Sequence, residues 1–192
     1  MEEHRPQLQM LWPTTRLNSP PEPVLLPGYQ LRIFDPQTDI DGYLSLMHEA
    51  GFTDFTAERV DGCLLRVLPD GFFVVEHAGA GELVATAMAG HAPTSLHPYG
   101  GELGWVAGRR AHAGRGLGAA VCTAVVRRFI SAGYRRIYLL TDDWRLPALK
   151  VYLKLGFMPF LFTSGMHERW RTICDQLNWP FTPAAWPTVQ DA

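Results

Sequence analysis

The chain has 192 residues, 47% apolar and 19% charged, with a formal net charge of −2. That is enough for one domain with a full core, and too little positive charge for a bulk-basic nucleic-acid binder. Three scattered cysteines without a CxxC pair, no apolar opening segment and no run near the ~18 apolar residues that cross a bilayer lead to the expectation of a cytoplasmic protein with no disulfide framework, metal site or membrane anchor.

Residues 1–28 contain six prolines. Proline fixes φ and removes a backbone donor, so this stretch reads as an extended arm rather than helix or sheet, either docked on the body through Met10, Leu11 and Trp12 or disordered. The ordered domain is expected over residues 29–165. Tyr29–Phe34 alternates like a strand, and Ile40–Ala50 carries apolar residues at helical spacing between Asp39 and Gly51. Gly71–His77 and Glu82–Gly90 read as strands joined by AGAG, and Glu102–Gly108 as a third. Leu117–Ala132 is a helix with Leu117, Val121, Val125 and Phe129 at i+4 steps, stopped by Gly133. A strand over Arg136–Thr141, a helix over Leu146–Leu155 ended by Gly156, and a strand over Phe157–Thr163 follow. In residues 166–192, His167–Leu177 reads as a helix. Trp179, Phe181 and Trp186 then form an aromatic tail expected to pack on the domain or on a second subunit. Strands first and a βαβαβ run after them predict a single-domain α/β (α+β) fold with a mixed central sheet flanked by helices.

Charge is unevenly spread. Residues 109–154 hold ten Lys and Arg against two Asp and Glu, a balance of +8. The rest holds seven against seventeen, or −10. A basic block around a glycine loop points to a polyanionic ligand, and the acidic remainder favours a cationic acceptor. The loop Ala113–Gly118 opens a helix, whose first N–H groups have no intrahelical partner and sit at the positive end of the helix dipole. Such a turn is a ready diphosphate cradle. Gly114, Gly116 and Ala119 also satisfy a dinucleotide fingerprint, with Asp142 beyond the next strand. However, RRAHA separates Gly108 from Gly114, and about fifty residues remain after Asp142, too few for a doubly wound domain. The sequence GxxxxGK[ST] is absent.

Three pieces in order resemble the GNAT N-acetyltransferases: the strand GELGWVAG, the loop AGRGLG, and LPALKVYLKLGF with its tyrosine ahead of Leu-Gly-Phe. The element order is similar from about Tyr29 to Phe162. The resemblance implies transfer of an acetyl group from acetyl-CoA to an amine, without a metal. It implies that the backbone of Val106, Ala107 and Gly108 pairs with the pantetheine arm. Gly114, Arg115, Gly116, Leu117, Gly118 and Ala119 would hold the diphosphate. Tyr152 would point at the thioester sulfur and Glu102 would act as general base. Two positions depart from the family pattern. Ala113 stands where Arg or Gln is preferred, so that side-chain contact to the cofactor is missing, and Arg145 stands where Asn is common, which replaces an amide contact; the backbone cradle is unaffected, and Arg109, Arg110 or Arg115 is available to supply the missing charge.

The chemistry needs such groups. An amine of pKa about 10.4 is neutral in fewer than about one molecule in a thousand at pH 7, so a base must take its proton. Glu102 serves if burial raises its pKa or a water relays the proton; His91, His97 and His112 remain open as alternatives. Tyr152 reads as a hydrogen-bond donor to the leaving thiolate. A small-molecule amine is the expected acceptor, with a protein or peptide amine, or a non-catalytic acyl-CoA sensor, as alternatives, in a monomer or homodimer.

Overall fold

The computed structural model of the chain describes residues 5–191. Seven strands run in chain order: β1 (Leu8–Leu11), β2 (Tyr29–Ile33), β3 (Val67–His77), β4 (Glu82–His91), β5 (Gly101–Gly108), β6 (Ile137–Thr141) and β7 (Met158–Pro159). They form one sheet in the order β2-β3-β4-β5-β6-β1-β7. Five helices accompany them: α1 (Ile40–Glu49), α2 (Ala57–Leu64), α3 (Leu117–Ser131), α4 (Leu146–Leu155) and α5 (Met166–Leu177).

The composition of β4 explains the layering. Its residues from Leu83 to Ala89 are all buried, because helices cover both faces. Ala85, Ala87 and Ala89 join the core that contains Val121, Val125 and Phe129 of α3. Leu83 and Met88 join the second core, with Tyr43, Leu46 and Met47 of α1 and Val60 of α2. Strands β2 to β5 are antiparallel to their neighbours, whereas β5 and β6 are parallel. A parallel pair requires a crossover, and α3 supplies it. The pairing of β5 with β6 covers only Gly101–Ile137 and Glu102–Tyr138. Gly101 permits the close packing there, since a Cβ on it would stand 2.4 Å from the Phe129 ring. Beyond Glu102 the two strands are no longer paired, and a cavity opens between them.

The proline-rich opening departs from its expectation as an arm outside the sheet. Leu8–Leu11 forms β1, between β6 and β7 and antiparallel to both. Leu8 and Met10 are fully buried. Pro6 and Pro13 flank LQML without interrupting it, so every residue of the strand keeps its N–H. Helix α2 is an addition to the expected elements: AERVDGCL buries only Val60 and Cys63, and its start is marked by the Thr56 side chain accepting from Arg59 N at 3.3 Å. The strand expected over Phe157–Thr163 contracts to Met158–Pro159 and a bridge at Leu161, while β3 starts four residues earlier than expected. The aromatic tail folds back on this chain. Trp186 is buried in the main core, with its ring 6.0 Å from Trp170 of α5 and 5.2 Å from Phe181. Among the described residues no helix is long and apolar enough to cross a membrane.

Candidate active site

The glycine loop leads into α3 through two left-handed residues, Gly114 (φ +76°) and Gly116 (φ +78°). Side chains rarely adopt that backbone conformation, so glycine is required there. Gly116 is the N-cap, and no side chain caps the helix. Intrahelical bonding starts with Ala120 N to Gly116 O at 3.0 Å, which leaves the amides of Leu117, Gly118 and Ala119 without helical partners. A Cβ added to Gly114, Gly116 or Gly118 would meet nothing within 4 Å. The open space belongs to a cavity of about 620 Å³.

That cavity gathers most of the residues expected from the sequence. Val106, Ala107 and Gly108 form one wall, and Ala113, Gly114, Gly116, Leu117, Gly118 and Ala119 form the floor. Pro147, Val151 and Tyr152 of α4 form the opposite wall. Two of the residues expected to hold the cofactor lie elsewhere. Arg115 does not line the cavity; its guanidinium donates to the Tyr29 hydroxyl and lies over the Tyr29 ring. Arg145 lines a different cavity, held by Asp142 at 3.2 Å and stacked on Phe52 and Trp144 with its guanidinium carbon 4.6 and 4.3 Å from their ring centres. Of the arginines near Ala113, Arg109 is committed to Glu49 and Glu82. Arg110 lines the cavity, and its guanidinium is unpaired among the described residues.

The second cavity, about 210 Å³, lies in the gap between β5 and β6. It shares Val106, Ala148 and Tyr152 with the first. Glu102 and Arg145 line it, with Gln7, Phe52, Trp105 and Thr141. A bulge shapes its wall. Met88 pairs with Gly104 and Thr86 with Ala107, so Ala87 faces both Trp105 and Val106. Trp105 takes φ +52° there, a conformation that bulky residues rarely adopt. Bulges of this kind bend a strand and free it locally from the ladder. The Trp105 ring is held in place by Phe55, with ring centres 4.7 Å apart.

Burial pushes the Glu102 carboxyl above the ordinary carboxylate value, with Arg66 and the Tyr138 hydroxyl pulling the other way. Burial likewise pushes the Tyr152 phenol far above its ordinary value, so it remains protonated at any working pH. Tyr152 makes no hydrogen bond among the described residues and borders both cavities. The Thr141 hydroxyl at the end of β6 is buried without a partner among those residues.

The three histidines separate. His97 is sealed in the core, stacked on Tyr138 at 4.0 Å. Its Nδ1 accepts from Arg136 Nε at 3.1 Å, so its Nε2–H donates to Gln9 Oε1 at 2.7 Å. Burial pushes it down to about 4. It is a neutral clamp on β1 with no access to either cavity. His112 borders the first cavity and is bound to Tyr29 at 2.8 Å. His91, bound to the Tyr134 hydroxyl at 2.7 Å, lines a third, small cavity on the other side of Glu102.

The sequence alone does not point to Gln7, Phe52, Arg66, Trp105 or Thr141. Gln7 falls in the proline-rich opening, and Trp105 is marked only by a backbone angle. Phe52 and Arg66 sit beside helix ends, in positions where no local pattern signals a site.

The glycine cradle, the split sheet and the tyrosine wall meet a matching sequence profile: that of the acetyltransferase (GNAT) family, over residues 37–157. The chain belongs to the GNAT family. It is 34% identical over 148 residues to a mycothiol acetyltransferase of Amycolatopsis mediterranei, matching 71% of this chain and 48% of that protein. It is 31% identical to a mycothiol acetyltransferase of Pseudarthrobacter chlorophenolicus, over 71% of this chain and 45% of that protein. The chain thus spans about half the length of these curated relatives. A GCN5-related N-acetyltransferase from Sphaerobacter thermophilus shares the fold, with a TM-score of 0.62 at 24% identity over 81% of this chain and 49% of that one. A tandem GNAT protein from the clavulanic acid biosynthesis pathway gives 0.61 at 16% identity, over 82% and 51%. Within the GNAT frame, a diphosphate suits the open amides above Gly114, Gly116 and Gly118, and an extended thiol arm suits the groove from Gly108 to Tyr152.

Proposed function

We propose that this GNAT chain transfers an acetyl group from acetyl-CoA to an amine of a small molecule, by direct attack of the amine on the thioester. The observation that carries the reading is the meeting of two cavities at Tyr152 and Val106. One is floored by unpaired helix amides and the other is bordered by a carboxylate with a raised pKa. The amides of Leu117, Gly118 and Ala119 bind the diphosphate, and Arg110 adds a cation. The free edge of Val106–Gly108 lines the pantetheine arm and holds the thioester at the junction.

Glu102 takes the proton of the attacking amine, directly or through a water. An ordinary carboxylate near 4.5 is a weak base for this task, and burial moves Glu102 toward the operating pH. Tyr152 donates a hydrogen bond to the sulfur as negative charge develops. Even an ordinary phenol near 10 would lose about 2 kcal/mol in giving its proton to a thiolate near 8.5. Burial widens that gap, so Tyr152 stabilises charge and keeps its proton. The relatives named mycothiol acetyltransferase support a small-molecule acceptor. The buried free cysteines fit a reducing cytoplasm.

Calorimetry with acetyl-CoA, combined with a coenzyme A release assay over amino acids, polyamines, amino sugars, a mycothiol-related amine and short peptides, tests the proposal. Binding with release on small amines is expected. Binding without release on any amine would reduce the chain to an acyl-CoA sensor, and turnover of peptides alone would make it a protein acetyltransferase.

A further inference from the structure

Most arginines of this chain are tied to a carboxylate or a carbonyl, as Arg32 is to Asp39 and Arg169 to Asp143. Arg66 is not. Its guanidinium makes no hydrogen bond or ion pair among the described residues, although its backbone is fixed on both sides. Its N–H donates to Cys63 O at 2.9 Å and its carbonyl accepts from His91 N at 2.7 Å. The side chain borders the small third cavity, about 30 Å³, whose walls also include Glu102, Gly104 and Trp105. Those three residues border the cavity between β5 and β6 as well. Glu102 therefore borders both the cavity at the proposed thioester junction and the one beside Arg66, an exposed cation without a hydrogen bond or ion pair among the described residues.

We infer that Arg66 selects the acceptor: the amine delivered to Glu102 bears a carboxylate close to its nitrogen, and the Arg66 guanidinium holds that carboxylate. The inference rests on the acetyl-transfer reading and supplies its substrate class. Two physical points support it. The free space beside Arg66, about 30 Å³, admits a small terminal group such as a carboxylate. A guanidinium fork matches a carboxylate with two parallel hydrogen bonds, an arrangement that orients as well as binds. The acidic balance outside residues 109–154 favours a cationic acceptor, but charges farther than about a Debye length are screened, and the local cation decides.

The same pair couples binding to catalysis. The charged and titratable groups that share a cavity or an interaction with Glu102 are Arg66, Cys63 at the end of α2, His91 at the end of β4 and Tyr138 on β6, and, in the cavity between β5 and β6, Asp142, Arg145 and Tyr152. Among these, Arg66 and, to a smaller extent, the Tyr138 hydroxyl oppose the upward effect of burial on Glu102. A carboxylate seated on Arg66 cancels its share of that opposition and makes Glu102 a stronger base when the acceptor is present.

The test compares kcat/KM for carboxylate-bearing amines with that for their neutral amides, in the wild type and in Arg66→Gln. O-phosphoethanolamine against ethanolamine separates a carboxylate site from a general anion site. The wild type is expected to prefer the amino acid over its amide by about tenfold or more. Arg66→Gln is expected to bring that ratio near one, and Arg66→Lys to restore part of it. The acid limb of kcat is expected at higher pH than that of kcat/KM for the amino acid, without such a gap for the amide. A wild-type preference for the amide, a ratio unchanged in Arg66→Gln, or a preference confined to the phosphate pair overturns the assignment. Failure of every amine to release coenzyme A overturns instead the transfer reading. In that event calorimetry of the N-acetylated amino acid against wild type and Arg66→Gln still decides Arg66: weaker binding in the variant supports it and equal binding rejects it.

Discussion

The two cavities that meet at Tyr152 are made of different material. The first is built largely from backbone: free amides at the head of α3, the edge of β5 and glycines that keep side chains out of the way. Its residues fall mainly in two short runs, 106–119 and 147–155. The second draws on more scattered residues: Gln7 and Phe52 join the runs 102–106 and 140–152, and Glu102, Thr141 and Arg145 bring polar side chains to it. A site made of backbone constrains the chain locally, because only glycine tolerates both the close approach and the left-handed φ. A site made of side chains constrains only where distant segments end up. The cavity proposed for the diphosphate is therefore set mainly by local backbone, and the one proposed for the acceptor by where separate segments meet.

The sharpest way to break this contrast is to fill the backbone site without straining it. Gly118 lies in the first turn of α3 with open space where a Cβ would stand, and its φ is not left-handed. Gly118→Val is expected to reduce acetyl-CoA affinity by more than about 100-fold in calorimetry, with Tm within a few degrees of wild type because valine is no worse in a helix than glycine. Unchanged affinity would mean that the cradle holds nothing.

Next in size is Glu102→Gln. Only the ionised carboxylate accepts a proton, so activity is expected to rise with pH through the raised Glu102 value and to lose that limb in the variant. The expected fall in kcat/KM is about 100-fold. Stability should move the other way. A carboxyl whose folded pKa is raised costs stability once pH exceeds that value, and the cost vanishes below the unfolded value, so Glu102→Gln should raise Tm at pH 8 and leave it unchanged at pH 4. A variant with lower Tm at pH 8 would mark Glu102 as a structural residue.

Tyr152→Phe sits at the junction of the two sites and should be milder. Loss of one hydrogen bond to developing charge is expected to lower kcat about tenfold, with little change in acetyl-CoA affinity. A normal kcat would leave Tyr152 a packing residue.

The smallest expected effect concerns the support of the side-chain site. His97 is neutral in the fold and pushed down to about 4, against about 6.5 when unfolded. The unfolded chain therefore takes up a proton first. Stability is expected to fall as pH drops from about 6.5 to 4, by up to about 3 kcal/mol. Thermal melts across that range check the slope, which His97→Gln should flatten. Glu102 and His97 thus separate acid loss of rate from acid loss of fold.

Much of the fold is legible in the sequence. Helix α3 shows its apolar spacing and its Gly133 stop, α4 ends at Gly156 as expected, and β4 and β5 lie where their composition puts them. The cradle residues Ala113, Gly114, Gly116, Leu117, Gly118 and Ala119 are recognisable as a group because one turn holds them all. Local pattern fails for β1, since its four residues sit among prolines and gain strand form only by pairing with β6 and β7. It does not show either that the Arg115 and Arg145 side chains engage Tyr29 and Asp142 with Phe52.

By itself, then, the sequence determined the elements with strong periodicity, the order that yields a mixed sheet, and the glycine turn, because each depends on interactions between residues a few positions apart. Only the tertiary structure decided that β5 and β6 part after Glu102, that Trp105 bulges beside the gap, and that Arg66 borders a cavity with the half-buried Glu102. Those features depend on pairing and packing between segments tens of residues apart. Their free energy lies in contacts made only when the whole sheet is assembled, and no short stretch of residues carries their mark.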